Sequence, residues 1–460
     1  MKKGKIFCTA LAALLASAML AACGGGSTAT PPPATAEPAT AAPATQAPAA
    51  TTVEPSAPVA EAEPAEEAVT IRSFAHMTSS EKIGTWEAIG EAFKANNPGF
   101  ALEHEDTPFD NYNSLMKTKI AAGDAPDLIF GRPANRLDLI KADSVCDVTP
   151  YVDYTYIDDA TKAAVSFEGK PYGAPLDLTL RLVFYNTRLF KEAGITSVPK
   201  TRTEFIAACE ALKAKGILPL FFGCKDQGVF WSHIFYCDFF GAPFSKDTNF
   251  MADMMARNRK WVDADNFRAS LERTDALLAY GQDIPYASTY NEEEDMFAAE
   301  KCAMIINGTW SLSSVPPKNP NGPFDVFVLP ITDDPSDLVM NAMIDDCWMI
   351  ATQSENKELA GKLASFAISP EGSNIWVKGT GSVTTVQGTT EMGNFLGIKV
   401  NEYIRDSGLP MFNAHTVPNL EGAFDANWQT IIEEFGSDNN RSADKTLKAL
   451  DDEFDKLAGQ

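Results

Sequence analysis

Between residues 69 and 130, short strand-like segments alternate with segments whose apolar residues have helical spacing. This alternation constrains the fold more than any other feature of the sequence. VTIRSF (69–74), ALEHED (101–106) and LIF (128–130) favour strands. Between them, apolar side chains recur at helical spacing, from Ile83 to Phe93 and again from Tyr112 to Ile120. Strands that alternate with helices predict an α/β domain with a largely parallel sheet. In such sheets, ligands bind at the carboxyl ends of the strands.

The N-terminus has the architecture of a secretory signal peptide. A lysine-rich start, MKKGK, precedes a short apolar stretch, and small residues follow at Ala21 and Ala22. The stretch ends in three glycines at 24–26 and is too short to span a membrane, which takes about 20 apolar residues. We therefore predict that residues 1–22 are a signal peptide.

The four residues LAAC at 20–23 resemble the bacterial lipobox, in which cleavage exposes a cysteine that carries the lipid. This resemblance implies lipidation of Cys23 and a chain that is anchored to a membrane without crossing it. The alternative is plain secretion with an incidental cysteine. From residue 27 to 67 the chain is almost entirely Ala, Pro, Thr, Ser and Glu, which cannot build a core. We predict that residues 23–67 form a disordered tether.

The body, residues 68–460, is long enough for two domains. The formal net charge of the chain is −24, which argues against nucleic acid and anionic lipid as partners and is compatible with a neutral ligand. No CxxC spacing suggests a metal site. Cys209, Cys302 and Cys347 lie in apparent buried elements, which favours free thiols. Disulfides stay open, because exported cysteines usually pair.

A second unit begins after residue 171. Prolines and a glycine precede a long strand at 178–185, and a helix is expected around 203–215. Two further strands are predicted in FDVFVLPIT (324–332) and AMIDDCWMIAT (342–352), and the segment from residue 442 onward is an amphipathic helix.

Several segments resemble, in the family's own order, the carbohydrate-specific extracellular solute-binding proteins of bacterial ABC importers, which are similar to maltose-binding protein. They are GDAPDL (123–128), YGAP (172–175), LVFYNTRLFKEAGI (182–195), VPKTRTEFIAACEALKAKGILP (198–219), MFAAEKCAMIINGTW (296–310) and NKELAGKLASFAISPEGSNIW (356–376). The resemblance extends from about residue 69 to 376. It implies an α/β, two-lobed periplasmic-binding-protein-like fold of type II, whose lobes close on a sugar.

The same resemblance implies the boundaries of the two lobes. The first lobe would contain residues 68–176 and about 333–390, and the second residues 177–332 and about 391–460. The chain would cross to the second lobe near 175–177, and it would return in VLPITDD at 328–334. The C-terminal helices would lie mainly on the second lobe.

The function implied by the resemblance is capture of a mono- or oligosaccharide and its delivery to an ABC permease. The protein would act as a monomer at the extracellular face of the cell membrane, without a cofactor, a metal or an enzymatic step. One alternative is a surface glycoside hydrolase that pairs Asp177 with Asp345 or Asp346. Others are a binding protein for a polyamine or a peptide, and an adhesin or sensor subunit.

Trp310 is the foremost candidate for a ligand contact. It follows a predicted strand that ends in Gly308, and glycine at a strand end often marks close approach of another group. Sugars present apolar C–H faces that can stack on an indole, and the resemblance places the G-x-W position in the cleft. The alternative is an ordinary core tryptophan. Asp177 resembles the acidic residue that accepts sugar hydroxyls, or it caps a turn at the hinge.

The other candidates include residues that follow predicted strands and Trp231, in GVFWSHIF, a second stacking candidate that could equally be a core residue. They are Ser79, Ser80, Arg132, Trp231, Asp345, Asp346 and Trp348. The two serines lie between Thr78 and Glu81, which predict a helix capping box. Adjacent carboxylates on a strand point to opposite faces, so at most one of Asp345 and Asp346 faces the cleft. His415 could also border the cleft. The acidic run EEED at 292–295 is expected to favour the N-terminal dipole of the helix that follows.

Overall fold

A computed structural model describes residues 68–77, 79–225, 236–239, 246–247, 249–413, 423–438 and 440–458. The predicted signal peptide, Cys23 and the tether lie outside the described residues, as do Trp231 and His415. The strands are β1 (Val69–Ala75), β2 (Phe100–Asp106), β3 (Leu128–Phe130), β4 (Ser166–Phe167), β5 (Lys170–Pro171), β6 (Ala174–Pro175), β7 (Asp177–Asn186), β8 (Met304–Gly308), β9 (Phe324–Phe327), β10 (Met340–Ile344), β11 (Cys347–Ile350), β12 (Val383–Thr384) and β13 (Met411–Asn413).

Helices surround these strands in chain order. They are α1 (Ser80–Asn96), α2 (Phe109–Ala121), α3 (Leu137–Lys141), α4 (Asp159–Ala164), α5 (Thr187–Glu192), α6 (Arg202–Ala214), α7 (Tyr236–Phe239), α8 (Phe250–Met255), α9 (Asp265–Leu278), α10 (Tyr290–Ala298), α11 (Val315–Lys318), α12 (Lys357–Ala367), α13 (Pro370–Thr380), α14 (Phe395–Ser407), α15 (Ala423–Ser437) and α16 (Ala443–Ala458). Short 3-10 turns connect several of them, and the turn Thr309–Ser313 follows β8 directly.

The first sheet has the strand order β2-β1-β3-β11-β6. β1 runs parallel to β2 and to β3, with Val69 opposite Phe100 and Ser73 opposite Leu128. β11 lies antiparallel between β3 and β6. The predicted α/β fold is confirmed, and the three strands predicted between residues 69 and 130 are the parallel part of this sheet. We call this sheet and its helices the first lobe.

Helix α1 covers one face of the first sheet. Its N-cap is Ser79, whose side chain accepts a hydrogen bond from the backbone N–H of Lys82. Thr78 of the predicted capping box lies outside the described residues, and with Ser79 as the N-cap the third helical residue is Lys82, which cannot complete such a box. The helix buries Trp86, Ile89 and Phe93 in the core of the first lobe, in agreement with the apolar spacing in the sequence.

The second sheet is built around the long strand β7. β12, β7, β10 and β13 lie side by side, and β8 and β9 pair with the C-terminal half of β7. We call this sheet and its helices the second lobe. β7 and β8 are almost continuously buried, since both of their faces are covered. Helices α14 and α16 pack against elements of this lobe, as expected for the C-terminal helices.

The chain passes between the two sheets at Leu176, at Asp345–Asp346 and after α13. The predicted return at 328–334 is wrong, because β10 still pairs with β7, with Ile344 opposite Leu178. AMIDDCWMIAT is thus two strands in different sheets, separated by the two aspartates. The last passage comes before the predicted 390, since β12 already pairs with β7 through Val383 and Leu178.

The six cysteines of the body are free thiols. Five of them are buried, and burial raises the pKa of Cys209 to about 12 and acts in the same direction on Cys302 and Cys347. These cysteines pack in the structure as small apolar side chains.

Candidate functional site

The carboxyl ends of β1, β2 and β3 meet at one edge of the first sheet because these strands are parallel. His76 and Met77 follow β1, Asp106 ends β2, and Arg132 lies two residues after β3. An Asp106 carboxylate oxygen accepts a hydrogen bond from the Met77 backbone N–H at 2.6 Å, which ties the ends of β1 and β2 together. Polar side chains are thus gathered where an α/β sheet binds its ligands.

Burial shifts the titration of two groups at this edge. The His76 ring meets the edges of Tyr112 and Phe130 at centroid distances of 4.6 and 5.1 Å. Burial, with the charges of Arg136 and Arg132 acting in the same direction, lowers the pKa of His76 to about 3, so the imidazole is neutral near pH 7. Burial raises the pKa of Asp106 to about 6, although the bond from Met77 opposes this shift.

The turn that carries Trp310 extends from the C-terminal end of β8 in the second lobe. Gly308 is required here because a Cβ atom at that position would lie 2.3 Å from the Trp310 ring. Thr309 holds the turn against β7, since its hydroxyl accepts a hydrogen bond from the Leu180 backbone N–H at 3.1 Å. The Trp310 side chain is half-buried, and the Arg181 guanidinium lies 5.4 Å over its ring.

Ser79 connects this turn to the first lobe. Its hydroxyl donates to the Ser313 hydroxyl at 3.1 Å, and Ser313 donates to the carbonyl oxygen of Trp310 at 2.8 Å. The start of α1 therefore touches the turn that follows β8. Ser80 is exposed, and its hydroxyl donates to the carboxylate of neighbouring Glu81, so the structure does not bring it to the same place.

Arg132 reaches from the first lobe to the end of β10 in the second sheet. Its guanidinium lies 3.3 Å from the Met343 sulfur and 3.4 Å from the Ile344 carbonyl oxygen. Arg181 contacts the same sulfur at 3.0 Å, and Asp345 lies 3.8 Å from Arg132. Arg132, Arg181, Asp345 and, through Arg181, Trp310 thus form one contiguous group at the junction of the lobes.

A buried charge network lies behind Asp345. The Lys82 ammonium group, on α1, is 2.6 Å from an Asp346 oxygen and 3.9 Å from an Asp345 oxygen. Burial alone would favour neutral Lys82, but the charges of Asp346, Asp345 and Asp177 outweigh it and raise the pKa of Lys82. Burial also raises the pKa of Asp177 and of Asp346.

The three carboxylates are the only group in the described part of the chain with the spacing of metal ligands, each offering an oxygen within 4.8 Å of the others. Lys82 already places a positive charge beside two of them. Lys82 therefore offsets part of the negative charge of this group.

Asp177 occupies a structural position. It is 1 % exposed, and its two carboxylate oxygens accept hydrogen bonds from the Trp376 indole N–H at 2.8 Å and the Asp346 backbone N–H at 2.9 Å. Both bonds fasten passages between the lobes. We therefore correct the expectation that Asp177 accepts ligand hydroxyls in favour of its alternative, a residue that ties the hinge.

Side-chain exposure decides which of the remaining candidates, Asp345, Asp346 and Trp348, a ligand can reach. The Asp345 side chain is 16 % exposed and that of Asp346 only 4 %, so Asp345 is the one of the pair that a ligand can reach. Trp348 is completely buried, with its ring 4.5 Å from Trp86 and 5.3 Å from Phe130. The ligand expectation for Trp348 is corrected, because a strand residue with both faces covered has no surface to offer.

Some residues of the site were not singled out from the sequence. Arg181 is a lone charge within the apolar strand LTLRLVF, which is a usable signal for a functional side chain. His76 and Asp106 follow from the rule that ligands bind at strand ends, applied to every strand of the sheet. Lys82 carried no signal, because a lysine in an amphipathic helix is normally exposed.

No helix within the described ranges combines the length and the apolar character that a membrane crossing requires.

Residues 78–374 match the model of the bacterial extracellular solute-binding protein family. The chain is 24 % identical over 336 residues to the multiple sugar-binding protein of Streptococcus mutans, which covers 72 % of this chain and 78 % of the relative. It is 22 % identical over 409 residues to an ABC transporter extracellular-binding protein of Pyrococcus horikoshii, with coverage of 85 % and 90 %.

Solved structures share the fold at lower identity. A chitin oligosaccharide binding protein superposes with a TM-score of 0.73 at 20 % identity, over 85 % of this chain and all of the other. The protein RafE in complex with raffinose superposes with a TM-score of 0.69 at 19 % identity, over 85 % and 99 % of the two chains. The strand-end site, the two joined lobes and the family match lead to one conclusion: the chain belongs to the bacterial extracellular solute-binding protein family.

Proposed function

We propose that this protein captures a carbohydrate between its two lobes and delivers it to the permease of an ABC importer. The observation that carries the proposal is the half-buried Trp310, presented by a turn of the second lobe that Ser79 of the first lobe touches. A carbohydrate as the ligand is supported by a relative named as a multiple sugar-binding protein and by two structural neighbours, a chitin oligosaccharide binding protein and RafE in complex with raffinose.

The geometry suits a neutral, hydroxyl-rich ligand. An indole offers a broad, rigid face to apolar C–H groups at low cost in side-chain entropy. Around it, Arg132 and Asp345 supply a charged donor and a charged acceptor, whose hydrogen bonds are the stronger kind. Binding then favours the closed form to the extent that the sugar contacts both lobes better in that form.

A glycoside hydrolase is disfavoured by the positions of the carboxylates. Such enzymes place two carboxyl groups about 5–9.5 Å apart on either side of the scissile bond. Here Asp177 and Asp346 are buried against Lys82 and Trp376, and only Asp345 is partly exposed. A polyamine is disfavoured because Arg132 and Arg181, both cations, lie at the junction.

A ligand screen tests the proposal. Thermal unfolding of the purified chain is followed with mono- and oligosaccharides, a polyamine and a peptide mixture. A sugar present at 100 times its dissociation constant stabilises the folded state by about 2.7 kcal/mol, which is an easily measured shift. We expect a shift with at least one carbohydrate and no hydrolysis products on long incubation. A shift with the polyamine or peptides alone, or cleavage of the sugar, would contradict the proposal.

We further propose that the protein acts at the extracellular face of the cell membrane as a monomer, held there by a lipid on Cys23 and the tether of residues 23–67. The family is extracellular, and the lipobox resemblance supports the anchor. Replacing Cys23 by Ser removes the thiol that carries the lipid. We expect wild-type protein in the membrane fraction and the variant in the soluble fraction, and equal membrane association of the two would refute the anchor.

A further inference from the structure

The acidic run at 292–295 places two carboxylates in the first turn of α10, as expected for an interaction with the helix dipole, but two of its residues are buried. Glu292 does serve the helix terminus, since it forms a capping box with Thr289 at the start of α10. Glu293 and Glu294, however, are only 2 % and 3 % exposed. Two adjacent carboxylates are rarely buried unless hydrogen bonds or ion pairs compensate for the free energy lost with their hydration.

Glu293 is joined to the Trp310 turn through one intervening side chain. One of its oxygens accepts the Gly223 backbone N–H at 2.8 Å, and the other accepts the amide N–H of Asn307 at 3.2 Å. The amide oxygen of Asn307 in turn accepts the backbone N–H of Gly308 at 2.7 Å. Gly308 is the residue whose missing Cβ leaves room for the Trp310 ring.

The surroundings of Glu293 differ from those of Glu294. Glu294 accepts a hydrogen bond from the Tyr290 hydroxyl at 2.6 Å and lies 4.0 Å from the Lys318 ammonium. Among the described residues, no basic side chain lies within 4.0 Å of Glu293. The other titratable neighbours of Glu293 are the Tyr290 hydroxyl and the buried thiols of Cys224 and Cys302.

This setting is costly for a carboxyl group that served only the helix. Burial raises the pKa of Glu293 to about 8, and neighbouring Glu294 adds to the shift. Its two N–H donors are the only compensation that the described residues provide, and one of them leads directly to the turn.

We propose that Glu293 is a positioning residue for Trp310, the side chain on which the carbohydrate would stack. Through Asn307, Glu293 fixes Gly308 and thereby the orientation of the Trp310 ring. The inference rests on the proposed role of Trp310 in binding. Without this contact, the Asn307 amide loses the acceptor that fixes its rotamer, and its oxygen no longer has a defined direction toward Gly308. The turn then keeps its hydrogen bonds through Thr309 and Ser313.

Exchanging the hydrogen-bond donor and acceptor between positions 293 and 307 tests this connection from Glu293 through Asn307 to Gly308, which we call the relay. In Glu293→Gln an amide N–H faces the Asn307 amide N–H. In Asn307→Asp two carboxylates face each other when binding is measured near pH 9, where Glu293 is ionised. The double variant restores the bond with its direction reversed, while Asp at 307 still accepts from Gly308. We expect each single variant to weaken sugar binding about tenfold and the double variant to recover to within about threefold of wild type.

A second readout does not need a ligand. Fluorescence of Trp310, obtained as the difference between each protein and its Trp310→Phe counterpart, and its quenching by acrylamide report the orientation and exposure of the ring. The single variants should shift this signal and the double variant should restore it. Asp295→Asn, which changes an exposed carboxylate on the same helix, is the matched control and should match wild type in both readouts.

The outcomes separate the two proposals. Single variants with wild-type affinity and wild-type Trp310 fluorescence, or a double variant no better than either single one, would overturn the positioning role. A different result is that no sugar binds the wild-type chain, while the Trp310 fluorescence shifts in the single variants and is restored in the double variant. This result would support the positioning role of Glu293 and contradict the carbohydrate proposal. Should a single variant not fold, Glu293→Asp, which withdraws the carboxylate by one methylene, is expected to change both readouts in the same direction.

Discussion

At the scale of single residues, the tryptophans show what sequence can and cannot reveal. Trp310 was distinguished from core tryptophans by the glycine before it, and the structure places it half-buried at the junction of the lobes. Trp348 looked similar because it follows two aspartates, but it lies within the apolar strand CWMI and is fully buried. Its burial depends on the packing of α1 against β11 through Trp86, which is a tertiary contact that no local pattern contains.

Asp106 provides a prediction that links stability to pH. Burial raises its pKa in the folded protein to about 6, above the usual 3.8, so the folded state holds a proton that the unfolded chain releases. Stability from this group is therefore complete below pH 3.8 and is lost as the pH rises to about 6. Asp106→Asn, neutral throughout, should melt higher than wild type at pH 7.5 and gain little at pH 4. Equal gains at both pH values would contradict this linkage.

At the scale of elements, α1 connects the core to the junction of the lobes. Its apolar face was predictable from the spacing of Trp86, Ile89 and Phe93. The burial of Lys82 on the same face was not, because the carboxylates that hold it come from Asp345 and Asp346, far along the chain. The two strands hidden in AMIDDCWMIAT were missed for the same reason. The sheet to which each half belongs is decided by partners elsewhere.

Removal of the Lys82 charge should be strongly destabilising. Lys82→Met leaves Asp346 and Asp177 buried without their cation, and breaking a buried pair in this way typically costs about 3–5 kcal/mol. Denaturant unfolding should therefore show a large fall in the free energy of unfolding. Lys94→Met, at an exposed position near the end of the same helix, should change it by less than about 0.5 kcal/mol. A similarly small change for Lys82→Met would mean that the network contributes little.

At the scale of the whole molecule, the sequence predicted the fold class, the two lobes and the first passage between them. The predicted return to the first lobe, at 328–334, comes too early, and the predicted last passage, at about 390, comes too late. The passages are short, and their positions depend on which strands pair, which the sequence does not show. Of the predicted site residues, Trp310, Arg132, Asp345 and Ser79 come together, and their role in binding stays a prediction, while Asp177 and Asp346 are buried at the junction of the lobes.

The central claim is that a carbohydrate binds on Trp310, and calorimetric titration tests it most directly. The best sugar from the screen is titrated into wild type, Trp310→Phe and Trp310→Ala. We predict one binding site per chain, an affinity within about threefold of wild type for the phenylalanine variant, and at least a tenfold loss for the alanine variant, since aromatic contacts of this size contribute about 1–3 kcal/mol. Wild-type affinity in Trp310→Ala would contradict the claim.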